Sequence, residues 1–370
     1  MSQEKCPTEV RLSDHFLLSD LMGCHSVYAK GYRNVFNHGG VIQADKLREG
    51  RTLARKLLEP LVRRSRLSVT YGYISPELSR KIVKYQDPDK PSYHRWDAGA
   101  ACDVVLHNYL HTGLPPICAA CWIDENLPVS RTITYSESPC ICVATRAEEV
   151  AKGDPRRALY ENRYVGERKP KYIPYSNNPK TRLQQKNEID LRADWQGQGY
   201  PSYHGGGIKQ VQHIRTSKYT LLSDFLMSPE AMREGYVNMP PSLTGRGLQR
   251  FKRAGHVIDT LLLETGARRF SIVQAFQSEE WKGKAPSNWK DGAYLVLVPP
   301  VGLEPDTLAH EASQIGCVSK VGVSKNGRVW LVMLDEDAHE GSKKVQAESS
   351  EKADPPLVVE RRRSRVRPAG

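Results

Sequence analysis

The sequence predicts an α+β fold, a small antiparallel sheet packed by helices, duplicated in tandem. Three observations predict it. The segment Ser13–Met22, SDHFLLSDLM, returns at Ser217–Leu226 as SKYTLLSDFL. Each copy then runs in the same order through a Gly-Tyr pair, an amphipathic helix and a short strand leading into a Ser-x-Glu segment. The separation between matched positions falls steadily, from 204 residues at Ser13/Ser217 to 189 at Val143/Val332, as loop trimming in the second copy would produce. A repeat unit of that length is a domain and not a solenoid turn.

The elements follow from periodicity. After Gly31-Tyr32, Leu47, Leu53, Ala54, Leu57, Leu58 and Leu61 recur at helical spacing, and after Gly235-Tyr236 so do Leu248, Phe251, Ile258, Leu261 and Leu262. The helices run into Leu67–Tyr73 (LSVTYGY) and Phe270–Phe276 (FSIVQAF), which read as strands ahead of Ser75-Pro76-Glu77 and Ser278-Glu279-Glu280. Further on, Arg95–Val105 lines up with Asn288–Val298, sharing Trp96/Trp289, and Val129–Val143 lines up with Val318–Val332. Apolar alternation over Ile133–Ala144 and Val321–Met333 fits strands. The expected organisation is therefore a first domain over 1–164, a polar connector over 165–212, a second copy over 213–334 and a charged tail over 335–370. The connector, rich in Lys, Pro, Asn, Gln and Gly, and the tail, which ends in Arg361-Arg362-Arg363-Ser364-Arg365, hold too little apolar surface to build cores of their own.

Composition narrows the function classes. Apolar content of 39% and charged content of 26% belong to a globular protein, not to a fibre or a fully disordered chain. The longest apolar runs, such as Ala293–Val298, are strand-sized, so no membrane span is expected, and Met1–Val10 lacks the apolar core of a secretory signal. The expectation is a protein cytoplasmic when made. The net charge of +12 lies outside the tail, whose basic and acidic residues balance, and favours an anionic partner such as a cell-envelope polymer. No nucleic-acid reading motif accompanies it, so nucleic acid is not expected as the partner. Seven of the eight cysteines precede residue 143, and without a signal they read as buried thiols or metal ligands before disulfides. Cys118, Cys121, Cys140 and Cys142 form two close pairs: a four-thiolate zinc site is one reading, and inert thiols among apolar neighbours the plainer one. His107 and His111, four apart, read as surface or supporting histidines. Trp96 reads as packing, and Asp97 as a weaker alternative metal oxygen.

The stretch with chemistry is Ser92-Tyr93-His94 followed by Gly99-Ala100-Ala101-Cys102-Asp103. An imidazole and a carboxylate joined by a turn of small residues suit zinc, and Asp103 opens an apolar run that a strand would hold rigid. With the upstream Tyr71-Gly72-Tyr73-Ile74-Ser75-Pro76-Glu77-Leu78-Ser79, this stretch resembles the zinc D-Ala-D-Ala carboxypeptidases and L-Ala-D-Glu endolysins (peptidase family M15). Those proteins carry Ser-x-His-x-x-Gly-x-Ala-x-Asp after Ser-Gly-Tyr-Arg-Ser-Pro-Glu-Leu-Asn. The resemblance spans Val10 to Thr145.

That resemblance implies a metal set of His94, Asp103 and Cys140, with Cys140 standing where the family has a final-strand His. It implies Glu137, three residues earlier, as the general base, and Tyr73 and Ser92 as substrate-binding positions. A thiolate is a competent zinc ligand. The sequence departs from the family in a His94–Asp103 turn two residues longer, in Ile74 for the expected Arg, and in the type of the third ligand. The second copy has Ser287, Val296, Asn326 and Val329 at the places of His94, Asp103, Glu137 and Cys140, so it holds neither ligand nor base. The expectation is a catalytically impaired, peptidase-like protein of phage or bacterial type, serving as a structural, virion or cell-wall-associated component with peptidoglycan as partner. The alternative is an active zinc peptidase of the peptidoglycan stem peptide.

Overall fold

In the computed structural model, the described residues are 10–23, 30–38, 41–82, 91–111, 116–135, 138–145, 157–162, 171–174, 214–226, 228–238, 240, 246–276 and 294–334. A two-residue ribbon, β1 (Asn37–His38) with β2 (Val41–Ile42), precedes the first long helix. That helix runs from Ala44–Leu53 through a π-helical turn, Ala54–Leu58, into Glu59–Arg64. Pro60 has no N–H to donate and its ring crowds the carbonyl four residues back, so the widened turn just before it lets the helix continue. Leu53, Ala54, Leu57, Leu58 and Leu61 all point into the core.

The first sheet contains β3 (Leu67–Tyr71), β4 (Ala101–Leu106), β5 (Arg131–Tyr135), β6 (Ser138–Ala144), β7 (Arg157–Asn162) and β8 (Lys171–Pro174), ordered β3-β4-β6-β5-β7-β8. The second contains β9 (Ser271–Gln274), β10 (Tyr294–Val298), β11 (Val318–Val323) and β12 (Val329–Met333), ordered β9-β10-β12-β11. The antiparallel four-strand cores β3-β4-β6-β5 and β9-β10-β12-β11 share one topology. They share a bulge too: the register shifts between Val69 and Tyr71 against β4, and between Ile272 and Gln274 against β10. Smaller features also recur. Arg11 bridges Leu17 as Arg215 bridges Leu221. Asn34 Nδ2 donates to the carbonyls of Met22 and Tyr73, and Asn238 Nδ2 to those of Leu226 and Phe276. The duplication is a property of the backbone as well as of the letters.

Two expectations need correction. The expected small antiparallel sheet is larger and mixed: Lys171–Pro174, within the polar connector, forms β8 on β7, and β7 joins β5 in parallel, so the first sheet has six strands. The rest of 165–212, and Trp289 and Ser287, lie outside the described residues. The pairing of the last strands is also one residue off. β4 and β10 match as Asp103/Val296, and their partners across the sheet are Cys142 and Trp330, so Cys142 corresponds to Trp330, and Val329 is a core residue.

The copies interlock within one compact unit, Met1–Met333. Asp20 accepts from Leu17 N of its own loop and from Ser271 Oγ of β9 at 2.6 Å. Asp224, its repeat, accepts from Leu221 N and from Ser68 Oγ of β3 at 2.6 Å. Leu17 packs on Val273 and Val296 of the second sheet, while Leu221 packs on Val105 and Cys140 of the first. Each copy thus places its own loop on the other's sheet. The match is imperfect: Arg269 reaches Asp20 at 3.0 Å, whereas its counterpart Arg66 lies over the Tyr219 ring and donates to Leu262 O.

Candidate metal centre

Three elements bring the site together on the outer face of the first sheet. Asp103 on β4 stands directly across from Cys142 on β6, with Tyr71 of β3 on its other side. His94 comes from the turn before β4, where Tyr93 O accepts from both Trp96 N and Ala101 N, and His94 O accepts from Ile74 N at 2.9 Å. Gly99, at φ 109°, takes the backbone region closed to side chains that folds this turn back on its strand. Trp96 anchors the turn from below, packed edge-on against Phe36 and Tyr73 in the core.

One ligand atom from each of His94, Asp103 and Cys142 lies within 4.8 Å of the other two, the one such gathering of three among the described residues. His94 Nε2 is 3.9 Å from Asp103 Oδ1 and 4.0 Å from Cys142 Sγ. Bonds of about 2.0–2.3 Å to a tetrahedral ion put ligand atoms roughly 3.3–3.8 Å apart, so the group must draw inward to close on an ion. His94 Nδ1 lies 3.1 Å from Gly72 O and can only donate to it, which leaves the Nε2 lone pair facing Asp103 and Cys142. Tyr71 meets the imidazole edge-on, and Tyr135 OH donates to Asp103 Oδ1 at 3.2 Å.

Burial raises Asp103 above the usual carboxylate range against the opposing pull of His94, Cys142 and Tyr135. Burial, then the Asp103 and Cys102 charges, pushes the Cys142 thiol well up. A divalent cation bound here would stabilise the ionised carboxylate and thiolate that burial disfavours. The side chains of His94 and Asp103 are 21% and 17% exposed and Cys142 is buried, so the cluster reaches solvent at the imidazole and the carboxylate.

The converging thiol is Cys142 and not Cys140. Cys140 lies one cross-strand pair further along the same face, opposite Val105, with its sulfur 3.1 Å from Thr70 Oγ1 and Leu221 packed against it. Glu137 lies outside the described residues. Tyr73 is a core residue, 1% exposed between Phe36 and Trp96, and burial followed by the Asp97 charge raises its phenol far above the usual value. It does not face the site. Ser92 opens the His94 turn, its N–H on Asp97 Oδ2 and its carbonyl accepting Asp97 N. Asp97 is held by Lys46 and Arg95 at 3.0 and 2.8 Å, away from the ligand atoms. Ser75 Oγ accepts from Leu78 N, so the Ser-Pro-Glu segment serves as the cap of the helix Pro76–Ile82. Cys118 and Cys121 lie on the helix Pro116–Asn126 in no disulfide, and no four-thiolate cluster forms among the described residues.

No family model, curated protein or solved structure matches this chain. What the site can do therefore rests on its own geometry.

Sequence reasoning named two groups without placing them. Cys142 shares a strand face with Cys140, and only the pairing register separates them. His107 is fully buried, with Nε2 2.9 Å from Ser68 Oγ, in the chain that ends on Asp224. The retained Leu-Leu-Ser-Asp of both copies was the available signal for that network.

Proposed function

We propose that this protein is a zinc-binding, catalytically impaired relative of the peptidoglycan peptidases, acting as a structural or cell-wall-associated component of bacterial or phage origin. The observation that carries the proposal is the convergence of His94 Nε2, Asp103 Oδ1 and Cys142 Sγ, with Gly72 O orienting the imidazole and Tyr135 the carboxylate. Three protein ligands with an open side match the arrangement of zinc sites that keep a position for water or substrate. Bound there, zinc would supply Lewis acidity to that position.

The surroundings speak for impairment. Ile74, where the resemblance calls for an arginine, is 1% exposed in the apolar core, so that position offers no cation to a developing oxyanion. The loss of one such donor costs on the order of a hundredfold or more in rate. With Cys142 as the ligand, the residue three positions earlier is Pro139, not a carboxylate. Glu137 is five positions away, which breaks the family spacing between base and ligand. A second reading, an active stem-peptide hydrolase, is favoured by the open ligand position alone.

Metal analysis followed by muropeptide turnover tests both. About one zinc per chain, lost in His94→Ala, with no turnover, supports the proposal. Absence of zinc from folded protein refutes it, and zinc-dependent turnover establishes the second reading.

A further inference from the structure

The second copy's sheet face, at the place of the metal cluster, carries an aromatic surface. Its cross-strand rows are Tyr294–Val332–Lys320 and Val296–Trp330–Gly322. The same rows in the first copy are Ala101–Ala144–Arg131 and Asp103–Cys142–Ile133. Val296 and Trp330 therefore occupy the positions of two metal ligands, and a basic residue, Lys320 or Arg131, occupies the same position on the row's outer strand in both copies. The Tyr294 and Trp330 rings are nearly parallel, at 15°, with centroids 6.4 Å apart. Face-to-face contact would bring them to about 3.5–4 Å, so they are not in direct face-to-face contact, and both residues are partly exposed. The indole lies flat over Gly322, where an added Cβ would come within 2.3 Å of Trp330 Cζ2, so only glycine leaves the ring down.

We propose that Tyr294 and Trp330 form a carbohydrate-binding platform for the glycan strand of the cell wall. The C–H faces of pyranose rings pack on the electron-rich faces of aromatic rings. Consecutive sugars lie edge to edge in a flat chain, which two nearly parallel rings 6.4 Å apart can meet together. Successive nucleobases instead stack on one another, and the proteins that bind them separate their aromatic side chains accordingly. Lys320, exposed in the Tyr294 row, complements the carboxylates of acidic sugars and stem peptides. The choice of cell-wall glycan rests on the proposed function; the platform itself needs no metal.

The test titrates the full-length protein with chitopentaose by calorimetry, with and without chelator. The expected result is binding that weakens by about tenfold or more in Trp330→Ala and Tyr294→Ala, largely survives in Trp330→Phe, and is unchanged by chelator or His94→Ala. Gly322→Ala lifts the indole while keeping it in the chain, and a folded Gly322→Ala protein that has lost binding supports the platform even where Trp330→Ala fails to fold. No binding by the native protein, equal binding in the folded variants, or a Trp330-dependent preference for oligodeoxythymidylate over the sugar would overturn it. Loss of binding with chelator would place the sugar at the metal cluster and also overturn it, whereas absence of zinc with binding intact would sink only the metal proposal.

Discussion

Replacing Cys142 and Cys140 one at a time separates strand register from sequence spacing. Both thiols sit on one face of β6, two residues apart, and so roughly 7 Å apart along the strand. Only Cys142 lies across from Asp103 and beside His94. Zinc held by four ligands in small protein sites binds with roughly 10–16 kcal/mol, which shared equally is about 3 kcal/mol per ligand, or on the order of a hundredfold in affinity. Cys142→Ala should therefore weaken zinc by about a hundredfold in a competition titration with a chromophoric chelator. Cys140→Ala removes a sulfur engaged with Thr70 and packed by Leu221, so its zinc affinity should stay within about threefold of the parent. A Cys140→Ala protein that loses zinc as severely as Cys142→Ala would refute the register argument and restore the family spacing.

Three further outcomes follow from the interlock and from Ile74. Burial raises Asp224 from 3.8 to about 6, so the folded chain holds an extra proton between about pH 4 and 6 and its stability falls as pH rises through that window. The loss should reach about 3 kcal/mol, and urea unfolding of Asp224→Asn, which cannot ionise there, should lack it; equal slopes for both proteins would contradict the assignment. Leu17→Ala and Leu221→Ala, which truncate side chains 2% and 0% exposed, should each cost about 2–4 kcal/mol and shift one common thermal transition, because each bridges the two copies; separate transitions for the two copies would show them independent. Ile74→Arg should lower the melting temperature, through a buried unpaired guanidinium costing about 3 kcal/mol or more, without creating peptidase activity; a stable variant that cleaves muropeptide would show that the site lacks only its arginine.

Local patterns in the chain carried the fold further than the site. Helical spacing at Leu53–Leu61 depends on neighbours in sequence, and that helix stands where it was expected. The alternation over Ile133–Ala144 and Val321–Met333 marked strand without showing that each range holds parts of two antiparallel strands, β5 with β6 and β11 with β12. His94 and Asp103 were legible because a short turn joins them. The third ligand was not, since its identity depends on which residue of β6 meets Asp103, a pairing set across some 40 residues. A slip of one residue in matching β12 had the same origin and hid Trp330 behind Val329. Tyr73 read as a site residue because the family resemblance puts it there, and the motif does not reveal which side of the strand end faces the core. β8 was missed because Lys171-Tyr172-Ile173-Pro174 has the composition of a connector, and only pairing with β7 makes it a strand.

The reciprocal docking explains how a copy without the candidate ligands contributes to the one that has them. Without residues 214–226 the first sheet would expose Val105 and Cys140 beside the metal cluster. Ser68, which holds the buried His107 ring, would lose Asp224 as its acceptor. β3 carries Tyr71, which braces the imidazole edge-on, and Gly72, which fixes its tautomer, stands at that strand's end. Loosening β3 therefore acts on His94 through both contacts at once. In the other direction, Leu17 closes the face on which Trp330 and Tyr294 lie. Each face is thus completed by a loop of the opposite copy. Sequence change on one face, from Asp103 and Cys142 to Val296 and Trp330, leaves intact the carboxylate–serine clamps that hold both faces in place, because those clamps lie on the first strand of each sheet and not on the strands that carry the ligands.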